Sequence, residues 1–174
     1  MRITICLALT LVLVTCLSLK SSAADDVPAA ATTQPTTGEW DAIGKELGIS
    51  GVEKDGVYTI TLRRNDLDVH TDDGEIPGGL LKHEFQFYRC DCGKMNVAGQ
   101  FCVVEYESND VIDALRGGMM KVASVAPMFQ GEHPRMLIVR FQGGGGSLQL
   151  AKTLKATLEW TGEARMAPAT RPAE

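Results

Sequence analysis

The stretch 85-FQFYRCDCGKMNVAGQFCVVEY-106 decides the fold. From Phe85 through Phe87 to Cys90 the residues suit a strand, Gly93-Lys94 supplies a turn signal, and Met95 to Tyr106 suits a strand again, so the segment reads as a β-hairpin. Ser108-Asn109-Asp110 then offers a cap to a helix carrying Val111, Ile112 and Leu115, which Gly117-Gly118 ends. The same order returns downstream. Lys121 to Phe129 and Arg135 to Phe141 make a second hairpin around Gly131 to Pro134, and Ser147 opens a helix with Leu148, Leu150, Ala151, Leu154 and Leu158 on its apolar side.

Working outward, Trp40, Ile43 and Leu47 recur at spacings of three and four, which predicts a short helix closed by Gly48. Val57 to Leu62 alternates with good β propensity and predicts a strand. Hairpins followed by helices point to an α+β fold, an antiparallel sheet with helices packed on one face. The two hairpin-helix units resemble a loose duplication, although no residue-level repeat accompanies it.

The N-terminus gives the compartment. Arg2 precedes an apolar run from Ile3 to Leu19, and small residues at Ser22 and Ala24 suit a signal peptidase, so residues 1–24 read as a signal peptide and the mature chain as starting at Asp25, secreted or periplasmic. Leu13-Val14-Thr15-Cys16 gives an alternative, a lipobox that would anchor the protein to a membrane through Cys16. Thr15 stands where Gly, Ala or Ser is usual, so membrane attachment is expected only if Cys16 is lipidated. Residues 25–39, rich in Ala, Thr and Pro, read as a disordered linker, 40–163 as a single domain, and 164–174 as a disordered tail.

Charge excludes one class of partner. Without Arg2 and Lys20 the 17 basic side chains fall to 15 against 22 acidic, a net of −7. No Lys/Arg run interrupts that balance, so nucleic acid is not an expected partner.

Several clusters carry candidate chemistry. Gly143, Gly144, Gly145 and Gly146 lie between a predicted strand and a helix N-terminus, where unpaired N–H groups and the helix dipole favour an anion, with Arg140 as the local cation. The bland reading is a flexible connector, since no nucleotide-loop Gly-Lys-Ser/Thr follows. Asp66, Asp68, Asp72, Asp73 and Glu75 surround His70, but their spacing fails an alternating calcium loop, which leaves solvated turn carboxylates with Asp73-Gly74 as a tight turn.

Cys90, Cys92 and Cys102 remain once the leader is removed, enough for one disulfide and one thiol or for three thiols. With His83 they could make a soft metal site. If the hairpin turns at Gly93-Lys94, Cys102 lies opposite Phe85, about 17 Å along the strand from Cys90, too far for a disulfide. Small core-filling or surface cysteines are the expectation, with a metal or redox role as the alternative. Met95, Met119, Met120, Met128, Met136 and Met166 are too dispersed for copper trafficking and read as core filling. Glu132-His133-Pro134 offers a general base, yet sits at a predicted hairpin tip and reads as a solvated loop. His70, His83 and His133 form no triad pattern, and no motif implies a cofactor.

From Trp40 to Gly162 the chain resembles the LppY/LpqO lipoprotein family, an exported domain of unknown function. Gly56-Val57-Tyr58 with Arg64-Asn65-Asp66-Leu67 carries the opening strand and an Arg-x-Asp-Leu signature. Glu107 with Val111, Ile112 and Leu115 matches the helix after the second hairpin strand, and Pro134-Arg135-Met136 with Gly143-x-Gly145 matches the C-terminal section. The resemblance implies histidines at places held here by Ala126-Pro127-Met128-Phe129, Arg140 and Gly144, none of which replaces an imidazole. The expected function is therefore non-catalytic: binding of a small anionic ligand or a cell-envelope partner through Arg140, Gly143 to Gly146 and the loop from Ala126 to Arg135. The alternatives are a metal-binding or hydrolytic envelope protein using His83, Cys90, Cys92 and Cys102, and a purely structural envelope protein.

Overall fold

The computed structural model describes residues 37–162. The predicted leader, Cys16, most of the linker and the tail lie outside the described residues. Helix α1 spans Thr37–Leu47 and ends at Gly48, whose φ of +73° suits a residue without a Cβ. Strands β1 (Val52–Lys54) and β2 (Val57–Arg63) follow, then a two-residue pair, β3 (His70–Thr71) and β4 (Gly74–Glu75). The hairpin of the opening segment is β5 (Lys82–Arg89) and β6 (Met95–Val104). A short 3-10 turn at Glu105–Glu107 leads into α2 (Ser108–Gly117), and β7 (Lys121–Pro127), β8 (Met136–Gly145) and α3 (Ser147–Leu158) complete the chain.

Six strands form one antiparallel sheet in the order β1-β2-β5-β6-β8-β7. The two predicted hairpins stand side by side with their second strands adjacent, the arrangement that a repeated hairpin-helix unit gives. Both outer strands are poor templates for further pairing. β1 has three residues, and β7 is interrupted by a register shift between Val122 and Ser124 and ends on Pro127.

Alternation along β5 sends His83, Phe85 and Phe87 to the helix-covered face. There they join Ile60, Phe101, Val139 and Phe141 from the sheet, Trp40 and Ile43 from α1, Leu115 from α2 and Leu154 from α3. Burying each such side chain stabilises the fold by about 1.5–3 kcal/mol. Gly99 sits opposite both Phe85 and Phe141 in the ladder, and its missing side chain leaves room for their rings, 5.9 Å apart.

The opposite face is covered at one end only, by the loops before β5 and after β7. Val69, Leu81, Cys102, Val104, Met136 and Ile138 form a second core there, with Leu67, Ile76, Met128 and Phe129 packed on it. The two loops are stitched by reciprocal backbone bonds between His70 and His133, 2.9 and 2.8 Å.

Several local expectations are corrected. β1 was not anticipated; Asp55 and Gly56, both at positive φ, turn it into β2. The turn between β5 and β6 is wider than Gly93-Lys94, because Arg89 pairs with Met95, so Phe85 faces Gly99 rather than Cys102. Cys102 still stands far from Cys90. The expected Ser108-Asn109-Asp110 cap is replaced by Glu107 at the N-cap, with the Ser108 hydroxyl donating to the Glu105 carbonyl instead. Gly143 to Gly145 are the end of β8, paired with Val97 to Met95, and only Gly146 connects strand to helix. Met95, Met120 and Met136 are core residues as expected, whereas Met119 is 84% exposed.

Candidate functional site

Register brings part of the predicted site together. Residues two apart on a strand share a face, so Arg140, Gln142 and Gly144 line up along β8. Their neighbours across the ladder are Gln100, Ala98 and Asn96 on β6, and Ser124 and Lys121 on β7. This is the sheet face that the loops leave open. Arg140, Gln142, Gly144 and Lys121 are exposed, and no carboxylate among the described residues pairs with Arg140 or Lys121. Glu84, on this face two strands away, is held by Lys82 at 3.2 Å and Gln86 at 3.1 Å. A shallow cavity of about 420 Å³ opens here, lined by Lys121, Asn96, Gln142, Gly143 and Gly144. A Cβ on Gly144 would stand 2.7 Å from the Asn96 Oδ1, so the glycine keeps the groove open. Beyond Gln142 β7 no longer pairs with β8, and one edge of Gly143 to Gly145 faces outward.

Arg135 is not part of this face. It lies in the loop before β8, 3.9 Å from Glu105, beside a second cavity of about 500 Å³ with Glu132 and His133. The predicted solvated loop is corrected at Glu132, which is 5% exposed and accepts the Met136 N–H at 3.1 Å. His133 is exposed. The acidic stretch is the β3-β4 hairpin, where His70 sits 2.9 Å from Asp68 on the surface.

The metal alternative does not assemble. Cys90 and Cys92 are joined in a disulfide, which removes both thiolates as ligands. Cys102 is a buried free thiol, raised to about 11 by burial, and it points into the second core. His83 belongs to the other face, stacked with Phe85 at 6.4 Å and tilted against Phe101 at 5.2 Å. Its Nδ1 accepts the Cys102 backbone N–H at 3.2 Å, which leaves the proton on Nε2. Burial first, and the Arg64 charge second, depress its pKa to about 3, so the ring is neutral. Among the described residues no group of three or more His, Cys, Asp or Glu is placed to share an ion.

The most ordered polar constellation was visible in the sequence only as a signature. Arg64, just past β2 and buried, donates Nε and Nη2 to Asp66 at 2.9 and 2.8 Å. It donates Nη1 and Nη2 to Glu107 at 2.8 and 3.0 Å, and Nη1 to the Cys102 carbonyl at 2.9 Å. All five guanidinium N–H groups are thereby used. Glu107 also accepts the backbone N–H groups of Val104 at 3.0 Å and Gly162 at 2.8 Å. Burial opposes the Arg64 charge, but its two carboxylate partners outweigh that and its pKa is raised; the Arg64 hydrogen bonds hold Asp66 below the usual carboxylate range. A cavity of about 470 Å³ lies over this network, with Asn65, His83, Thr161 and Gly162 in its wall. With every Arg64 donor committed, the exposed Arg63 is the guanidinium left in that cavity's wall.

A family model described as Domain of Unknown Function (DUF1259), named DUF1529, matches residues 41–160. The chain belongs to the DUF1529 family. The match runs from within α1 to just past α3, so the DUF1529 domain includes the whole sheet, the second core, all of the first core but Trp40, and the Arg64–Glu107 pair. No curated protein and no solved structure matches the chain.

Proposed function

We propose that this DUF1529 domain is a non-catalytic binding module for a small anionic ligand, held on the open sheet face by Arg140 and Lys121. The observation that carries the reading is their shared face: two exposed cations without carboxylate partners, on a chain that is otherwise strongly acidic, beside the Asn96 and Gln142 amides and a groove kept open by Gly144. Amides and cations on a rigid sheet suit a phosphate or carboxylate. Three groups with catalytic potential are withdrawn from that face, since His83 and Cys102 are buried and Glu132 is bonded to backbone. The leader sequence and the LppY/LpqO resemblance support action in the cell envelope, where such a ligand could equally be a group on an envelope partner.

The test uses the full chain and three probes, inorganic phosphate, sulfate and citrate, followed by calorimetry at low salt. Arg140→Ala and Lys121→Ala should each weaken binding at least tenfold, and added salt should weaken it further. If no probe binds, or if both variants bind as the parent does, the reading is wrong.

A further inference from the structure

The tip of the β5-β6 hairpin holds chemistry that the anion face does not use. Cys90 and Cys92 are joined across one residue, Asp91, and both Asp91 and Cys92 are exposed. A disulfide closing so short a loop removes little freedom from the unfolded chain, so it contributes little to stability. The turn has closures of its own. The Gly93 N–H donates to the Cys90 carbonyl at 2.8 Å, the Cys90 N–H donates to the Lys94 carbonyl at 3.1 Å, and Gly93 takes a φ of +77° that suits the turn. The Arg89 guanidinium adds a clamp, donating to the Gly93 carbonyl and to Glu39 of α1. Arg140 is far away, since it pairs with Gln100, about 17 Å along β6 from Met95.

We propose that Cys90–Cys92 is a redox-active disulfide that exchanges with external thiols while the fold stays intact. A donor thiolate attacks the exposed Cys92 sulfur and forms a mixed disulfide. The Cys90–Cys92 bond breaks, and Cys90 leaves as a thiolate that takes a proton from water. A second donor thiolate then attacks the donor sulfur of the mixed disulfide, releasing Cys92 as a thiol and the donor as its own disulfide. Two donor thiols are oxidised and one protein disulfide is reduced to a dithiol. Cys102 takes no part, because it is buried and its thiol is held protonated.

The oxidised full-length chain is equilibrated in glutathione buffers of graded ratio, then alkylated without denaturant and weighed. Millimolar reduced glutathione should add two labels, at Cys90 and Cys92 and not at Cys102, and the unfolding midpoint should stay where it was. Transfer from the reduced protein to insulin, lost in Cys92→Ser, would assign a protein disulfide as partner; exchange with glutathione alone would assign a small thiol. A disulfide that survives millimolar glutathione, or a chain that unfolds once reduced, overturns the proposal.

Discussion

At the residue scale the decisive groups are those that burial has committed. His83 is neutral when folded, with a pKa near 3, while in the unfolded chain it titrates at an ordinary 6.5. Its folded pKa is depressed, so its contribution is complete above the unfolded value and is lost as pH falls toward 3, since only the unfolded chain takes up the proton. The charged neighbours are Arg64, which deepens the depression, and Asp66, which opposes it. Between pH 7 and pH 5 the parent should lose about 2 kcal/mol of unfolding free energy on this account. Urea unfolding at both values should show that loss in the parent and not in His83→Leu; equal slopes in the two proteins would count against it. The sequence showed His83 only as an imidazole near cysteines. Its real role depends on which strand face it occupies, and that follows from a register no local pattern specifies. Arg64 and Glu107, 43 residues apart, were legible as parts of a signature but not as partners.

At the scale of elements, hydrophobic period and turn residues placed all three helices and the longer strands close to where they lie. They missed β1, whose three residues are exposed and carry no alternating burial, and they stopped β8 at Phe141. Glycine has low strand propensity, so Gly143 to Gly145 read as a break. They remain extended because the ladder to Met95, Asn96 and Val97 continues. Gly99 shows the opposite use of the same residue. A Cβ there would overlap the Glu84 carbonyl on the neighbouring strand and press on the Phe141 ring. Gly99→Ala should therefore destabilise the domain by about 1–3 kcal/mol, read from the urea midpoint at unchanged slope. A neutral result would mean that β5 and β6 can separate locally at no cost.

At the scale of the whole molecule, the Arg64–Glu107 network links the end of β2, the entry to α2 and the chain just beyond α3. Glu107→Ala would leave Arg64 buried with one carboxylate fewer, and would strip the Val104 and Gly162 N–H groups of their acceptor. The expected cost is about 3–5 kcal/mol, checked by chemical denaturation, and a loss under 1 kcal/mol would show the network to be incidental. The α+β class and the one-sided packing of helices could be read from the order of hairpins and helices. The second core could not, because Val69, Leu81 and Met136 sit in or beside loops without periodicity.

The blunt outer strands have a consequence for behaviour in a crowd. A six-stranded sheet with one face only partly covered would be a hazard if a neighbour's backbone could dock along its rim. Three residues on one side, and a strand with a register shift that ends in proline on the other, make short and irregular edges for such pairing. Crowded copies of this domain are therefore expected to resist pairing edge to edge through this sheet, which leaves its polar face out of any such contact.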